Sequence, residues 1–212
     1  MQQADGTVYG RSLPSVAWFS YNGARMRVVS IVGMAGAGKS EVARLFQENG
    51  FTRIRFGDVT DAELKARGLE RNEENERYVR ELLRREQGMA AYARLNQPRI
   101  DSALKHSDVV IDGLYSWEEY IFLKERYGGR FSVIAVWASP STRYARLATR
   151  PERSLTREEA VSRDWAEIEK TNKGGPIAMA DFTIINEASL DDLKTEAGRV
   201  ILRLRDVRVG QA

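Results

Sequence analysis

Val28-Val29-Ser30-Ile31-Val32 runs directly into Gly33-Met34-Ala35-Gly36-Ala37-Gly38-Lys39-Ser40, and that segment into Glu41-Val42-Ala43-Arg44-Leu45-Phe46. The middle stretch fits G-x-x-x-x-G-K-[ST], the pattern of a phosphate-binding loop. An eight-position match can arise by chance, so the flanks decide. The β-branched apolar run before it reads as a buried strand, and the amphipathic run after it as a helix. In that order the glycine-rich backbone N–H groups and the positive end of the helix surround a phosphate. The segment from Gly33 to Glu41 is therefore the expected nucleotide-binding stretch, with Lys39 reaching the β and γ phosphates and Ser40 ligating Mg²⁺.

Outward from this stretch the pattern repeats. Short apolar runs at Arg27 to Val32, Thr52 to Phe56, Asp108 to Asp112, Phe131 to Ala138 and Phe182 to Ile185 predict five strands. Helical periodicity covers Lys39 to Glu48, Thr60 to Arg67, Asn72 to Arg85, Met89 to Leu95, Arg99 to Lys105, Trp117 to Arg126, Ser141 to Thr149, Arg157 to Lys170 and Leu190 to Arg203. Near-continuous apolar strands alternating with helices predict an α/β, three-layer domain with a five-stranded parallel sheet and helices on both faces. Ser116 with Glu119, and Thr156 with Glu159, have capping-box spacing at two of the helix starts.

Asp108-Val109-Val110-Ile111-Asp112-Gly113 is a buried strand ending in an acid. Beside Ser40, Asp112 is the expected carboxylate on the magnesium side.

Composition narrows the chemistry. The 212 residues include no cysteine and one histidine, which removes disulfides, thiolate metal sites and thiol nucleophiles. Any metal site is expected to be oxygen-ligated. The net charge is +3, with 33 Lys+Arg and 30 Asp+Glu mixed along the chain, so charge does not call for a nucleic-acid partner. Arginine supplies 26 of the cations and lysine 7. Base composition explains most of that excess, and bidentate phosphate binding a part. No stretch is long and apolar enough to span a membrane, and the expected location is the cytoplasm. Residues 1 to 25 lack helical and strand period and are expected to be a disordered extension or the product of a start assigned too early. Residues 26 to 206 form the expected single domain, with 207 to 212 a tail.

With these residues in hand, the chain after Met26 resembles the P-loop nucleotide and small-molecule kinases, which include adenylate kinase and dephospho-CoA kinase. Ala138-Ser139-Pro140-Ser141-Thr142-Arg143-Tyr144-Ala145-Arg146-Leu147-Ala148-Thr149-Arg150 is similar to the approach to their helical lid, here about 143 to 176. The resemblance implies that Arg146 and Arg150, four residues apart and on one helical face, converge on the transferring phosphates. Arginines so placed contribute roughly 10³ to 10⁵ in rate, and Arg153 is a candidate third. Leu155-Thr156-Arg157-Glu158-Glu159-Ala160 and Ala180-Asp181-Phe182-Thr183-Ile184-Ile185-Asn186-Glu187-Ala188-Ser189-Leu190 resemble the closing part of dephospho-CoA kinase, with its A-D-x-x-I-x-N-x-x-[ST]-L signature. The chain also resembles an uncharacterised archaeal family related to adenylate kinase that shares the Phe56-Gly57-Asp58-Val59 segment. GTPases carry N-K-x-D late in the domain, and Asn172-Lys173-Gly174-Gly175 lacks the acid. AAA-type and helicase ATPases call for a further sensor or lid domain.

The resemblance implies an ATP- and Mg²⁺-dependent kinase acting on a small, nucleotide-like acceptor, the leading one being the 3′-hydroxyl of dephospho-CoA. A nucleoside or deoxynucleoside monophosphate kinase and a regulatory ATPase are the alternatives. Asp58 sits where the family places its catalytic acid, as general base or as helix cap. Two positions depart from monophosphate kinases: Asp61 and Tyr115 stand where arginines would grip the acceptor phosphate, leaving Arg53, Arg55, Arg67 or Arg71 as replacements. Trp117, Tyr120 and Phe122 are expected in the core. His106 is expected on the surface.

Overall fold

A computed structural model describes residues 26–151 and 154–209. The expectations for residues 1 to 25 and for Arg153 fall outside the described residues.

Five strands form one sheet: β1 (Val28–Val32), β2 (Thr52–Arg55), β3 (Val109–Asp112), β4 (Phe131–Trp137) and β5 (Phe182–Ile185). Their order is β2-β3-β1-β4-β5, and every pairing is parallel. All five residues of β1 are buried, as a central strand covered on both faces requires. The helices are α1 (Lys39–Glu48), α2 (Asp58–Arg67), α3 (Glu73–Gln87), α4 (Ala91–Ala103), α5 (Trp117–Tyr127), α6 (Pro140–Ala148), α7 (Arg157–Glu169), α8 (Gly174–Ala178) and α9 (Leu190–Val209).

The sheet separates two apolar cores. One face packs Val28, Ile54, Phe56, Ile111 and Val133 against residues of α2 to α5, including Leu64, Val79, Tyr92 and Leu123. The other packs Val29, Ile31, Val110, Ile134 and Ile184 against α1 and α9 through Val42, Phe46, Leu193 and Ile201. A third, small cluster of Ala35, Leu147, Leu155 and Ala160 joins the phosphate loop to helices α6 and α7. Among the described residues no helix is long and apolar enough to cross a membrane.

Three departures from the sequence reading have physical causes. Met89 to Leu95 and Arg99 to Lys105 merge into α4, with Pro98 inside it. Tyr92, Asn96 and Ile100 fall on one face at helical spacing and are each fully buried, and burying all three on a single helix outweighs the roughly 3 kcal/mol that an interior proline costs. Gly174 to Ala178, outside the stretches of predicted helical periodicity, forms the short helix α8, whose Gly175 lies so close to Trp117 that a Cβ would sit 2.6 Å from the indole. The last helix runs to Val209, beyond the predicted end at Arg203 and into the expected tail.

Candidate active site

Topology brings the site together. In the parallel register Ile31 of β1 is paired with Asp112 of β3, so the loop leaving β1 and the acid ending β3 emerge side by side at the carboxyl edge of the sheet. That edge is where open α/β sheets bind their ligands.

Gly33 to Gly38 turn the chain from β1 into α1. Gly38, the N-cap, has φ +101°, and a Cβ there would lie 2.3 Å from Asn186 Nδ2. A side chain at Gly36 (φ +80°) would meet the Arg143 carbonyl at 2.7 Å. The loop thus needs glycine for its backbone conformation and for what packs against it. Lys39 Nζ donates to the Met34 carbonyl at 2.9 Å, reaching back across the loop. Ser40 Oγ donates to Asp112 Oδ1 at 3.4 Å, and Arg53 pairs with the other carboxylate oxygen. Asp112 is buried and Ser40 exposed, so the pair presents oxygen ligands at the rim of the loop. That donor set suits a hard divalent cation such as Mg²⁺.

Part of the Lys39 residue reaches solvent, but its ammonium is enclosed by protein. Burial, followed by the neighbouring Lys173 charge, lowers its pKa from 10.5 to about 7. Lys173 is fully enclosed at the turn from α7 to α8, where Nζ donates to Glu167 Oε2 at 2.7 Å. Glu167 is held at about 2, because the attraction of Lys173, Lys39 and Arg163 overcomes the opposing effect of burial. Arg163 Nε donates to Glu167 Oε1 at 3.4 Å. Helix α7 and the turn after it therefore bring a carboxylate, Glu167, and two cations, Arg163 and Lys173, to the phosphate loop, none of which the sequence reading singled out for that role.

The lid residues divide differently from expectation. Arg143 is the buried one: Nη1 and Nη2 bond the two Asp164 oxygens at 2.9 and 2.6 Å, and Nη1 and Nε bond the carbonyls of Ala35 and Ala138. It ties α6, α7 and the phosphate loop together. Arg146 is partly exposed, and its Nη1 is buried without a hydrogen-bond partner among the described residues. Arg150 does not share a helical face with it. The helix ends at Ala148, because Pro151 disfavours helical backbone at the preceding residue.

The closing motif has a structural account. Asp181 accepts from the Val133 N–H at 2.7 Å and aligns β5 on β4; Ile184 enters the core; Asn186 Nδ2 donates to the Ala37 carbonyl at 2.9 Å and steadies the loop.

On the acceptor side, Asp58 opens α2 as its first residue, behind Gly57, and makes no capping bond. Its carboxylate pairs with Arg55 at 3.3 Å and with Arg99 at 2.9 Å. The cap alternative for Asp58 is thereby corrected. The four arginines expected to replace the missing forks are paired with acids: Arg53 with Asp112, Arg55 with Asp58 and Asp61, Arg67 with Glu63, and Arg71 with Asp61 and Glu76. Between α3 and α7 lies a cleft of about 1130 Å³, floored by Tyr115 and walled by Arg80, Arg84, Arg163, Glu167 and Lys173. Tyr115 packs edge-on against Phe56 and Tyr92, and Trp117 stacks on Tyr120, both as core contacts. His106 is exposed.

Comparison with known proteins follows this geometry. A family model described as an AAA domain, AAA_18, matches residues 29–167. UPF0200 proteins from Thermococcus sibiricus and Aeropyrum pernix are 34% and 38% identical over 84% and 81% of the chain and 95% and 90% of their own lengths. The chain belongs to the AAA_18 and UPF0200 families. UPF0200 relatives come from archaea, in keeping with the archaeal resemblance read from Phe56-Gly57-Asp58-Val59. The AAA label goes with a kinase-type core here, not with the sensor-bearing ATPases that the sequence reading set aside. Among solved structures, TT1252 from Thermus thermophilus aligns with TM-score 0.60 at 21% identity, covering 84% of this chain and 97% of its own. A gluconokinase from Sinorhizobium meliloti 1021 aligns with TM-score 0.58 at 15% identity, covering 88% and 97%, and a shikimate kinase from Bacteroides thetaiotaomicron with 0.55 at 14%, covering 85% and 99%. These likenesses establish the UPF0200 chain's fold as that of the P-loop kinases.

Proposed function

We propose that the protein is an ATP-dependent small-molecule kinase that transfers the γ phosphoryl group to a hydroxyl of a nucleotide-like acceptor, with the 3′-hydroxyl of dephospho-CoA as the leading candidate. The observation that carries the reading is the junction of two sites. A glycine-bound phosphate loop with Lys39, Ser40 and Asp112 meets a cleft of about 1130 Å³ through the shared residues around Glu167. A regulatory ATPase needs only the first site.

In the proposed reaction the acceptor oxygen bonds to the γ phosphorus as the bridging bond to the β phosphate breaks, releasing ADP. Lys39, Arg146 and Arg150 stabilise charge on the transferring group. Asp58, fixed between Arg55 and Arg99, orients the acceptor hydroxyl or takes its proton. Ser40 and Asp112 would hold Mg²⁺, which when bound would neutralise charge on the triphosphate. A hydroxyl acceptor is favoured over a nucleoside monophosphate because Asp61 already engages Arg55 and Arg71, and Tyr115 carries no charge. The A-D-x-x-I-x-N residues support the sheet and the loop, so they argue for the kinase fold and not for the acceptor.

The test is ADP release from ATP and Mg²⁺ across a panel of dephospho-CoA, nucleoside monophosphates and small polyols. Release that depends on one acceptor and disappears in Lys39→Ala supports the kinase. Acceptor-independent release supports the ATPase, and full activity in Lys39→Ala overturns the site.

A further inference from the structure

We propose that Lys173 is an acceptor-binding residue: its ammonium, now paired with Glu167, receives a phosphate or pyrophosphate group of the acceptor and takes over the role of the arginine that Tyr115 replaces. The inference rests on the kinase reading and adds the chemical class of the acceptor.

Position is the first argument. Lys173 lines the cleft between α3 and α7, and its ammonium lies 5.5 Å from the centre of the Tyr115 ring. Tyr115 follows the Asp112-Gly113 turn, the place where a monophosphate kinase keeps its second acceptor arginine. Lys39, in contrast, is bonded within the phosphate loop. The two ammonium groups are neighbours, one on the donor side of Glu167 and one on the cleft side.

Charge is the second. Lys39, Lys173 and Arg163 all act on the single carboxylate of Glu167. Arg163 also pairs with Glu73 at 3.4 Å, so below about pH 7, where Lys39 is charged, three cations face two acids and leave a positive centre where the loop meets the cleft, and such a centre concentrates anions. Lys173 has three donor hydrogens, and Glu167 is its hydrogen-bonding partner among the described residues. A triphosphate on Lys39 answers only part of that charge.

Backbone is the third. Asn172 has φ +50°, the one non-glycine residue with positive φ among those described. Gly175, two residues beyond Lys173, is confined by the Trp117 ring. Thr171 Oγ1 and the Lys173 N–H both donate to the Glu167 carbonyl. This turn keeps a lysine directed inward through a left-handed asparagine just past the end of α7, the non-glycine residue that adopts that conformation most readily.

The experiment uses the full chain saturated with Mg²⁺ and the non-hydrolysable ATP analogue AMP-PNP, titrated calorimetrically with inorganic pyrophosphate in excess Mg²⁺. Pyrophosphate is expected to bind the parent at one site. Lys173→Met should weaken it by at least about tenfold, Lys173→Arg should keep it within about threefold, and at pH 6, where Lys39 is charged with or without Lys173, AMP-PNP affinity should change by less than about twofold in both. Glu167→Gln, which keeps Lys173 but removes its competitor, should bind pyrophosphate more tightly than the parent. In the acceptor panel Lys173→Met should raise KM for phosphorylated acceptors and leave KM for uncharged ones alone. Pyrophosphate binding unchanged in Lys173→Met, or no pyrophosphate site in the parent, overturns the inference while leaving the kinase reading intact. Lys173→Met losing AMP-PNP and pyrophosphate equally makes Lys173 a support of the phosphate loop, which also overturns it. Failure of AMP-PNP to bind the parent overturns the kinase reading itself. Should Lys173→Met not fold, Lys173→Arg and Glu167→Gln decide the matter.

Discussion

Nucleotide binding should draw a proton from solution at mildly alkaline pH. Enclosure and the Lys173 charge bring the Lys39 pKa down to about 7 before nucleotide binds. A triphosphate laid against that ammonium restores the ordinary preference for the charged form. At pH 8 about a tenth of free Lys39 is charged, so binding takes up about 0.9 proton; at pH 6 it takes up about 0.1. Affinity follows the same curve. Above pH 7 the dissociation constant rises about tenfold per unit, so between pH 7 and pH 9 it increases about fiftyfold, or about 2 kcal/mol. Phosphate itself titrates near pH 6, below this window. The assay is calorimetry of Mg²⁺ and ATP binding at pH 8 in two buffers of different ionisation enthalpy, repeated with Lys39→Arg, which stays charged throughout. Uptake below about 0.2 proton at pH 8, together with an affinity flat from pH 7 to pH 9, refutes the reasoning.

Three further outcomes are expected. Arg143→Ala leaves the buried Asp164 carboxylate without its cation, held among the described residues only by the Tyr144 hydroxyl, and should cost about 3–5 kcal/mol of stability, read from denaturant unfolding; Arg143→Met combined with Asp164→Leu should recover at least half. Gly38→Ala combines a left-handed backbone with a Cβ against Asn186, and should lower ATP affinity at least about tenfold in a direct titration. Glu119, fully buried with Oε1 unpartnered, has its pKa raised by burial to about 7, so the folded chain holds a proton that the unfolded chain loses, and its contribution to stability declines as pH rises from 4.5 to 7. Glu119→Gln should therefore add up to about 3 kcal/mol at pH 8 and almost nothing at pH 4, measured by thermal unfolding at the two values.

What could be read from the sequence was whatever local pattern decides. The strand Phe182 to Ile185 and the helix Lys39 to Glu48 have the bounds that periodicity and capping predict. Thr156 and Glu159 form the reciprocal box that their spacing implies. Ser116 and Glu119 form half of one, since the Glu119 carboxylate turns to the Tyr115 N–H instead. The place of Asp112 beside Ser40 was legible because the strand it ends was read together with the upstream loop; alone, an acid at a strand end is common. Arg143, Asn186, Lys173 and Glu167 were not, for one reason: each acts through a partner distant in sequence or hidden by the fold. Arg143 and Arg146 look alike in a helix of mixed charge, and only the packing of α6 on α7 decides that Arg143 points inward beside Leu147. Lys173 sits in a segment whose glycines and proline read as a loop, and its burial depends on Trp117 and Tyr115 arriving from another element.

The charge pattern of the cleft bears on how it selects an acceptor. Most of its arginines are already matched by acids: Arg55 with Asp58 and Asp61, Arg80 with Glu73 and Glu76, Arg77 with Glu81, and Arg163 with Glu73 and Glu167. An incoming anion must then displace carboxylates, and what it gains depends on which pairs it breaks. Pairs at the rim, such as Arg77 with Glu81, are exposed and worth at most about 1 kcal/mol each, so exchanging them discriminates little. The Lys173–Glu167 pair is enclosed, and parting it without a replacement costs about 3–5 kcal/mol. Only a ligand that supplies its own anion to Lys173 can take the place of Glu167; a neutral polyol of the same shape leaves the pair intact and gains nothing from it. On the proposed role of Lys173, selectivity for a phosphorylated acceptor resides in one buried exchange, and the arginine-rich wall around it sets the rate of approach. Raising salt from 0.05 to 0.5 M should then slow association several-fold, while the preference for charged over uncharged acceptors, being set inside, should persist.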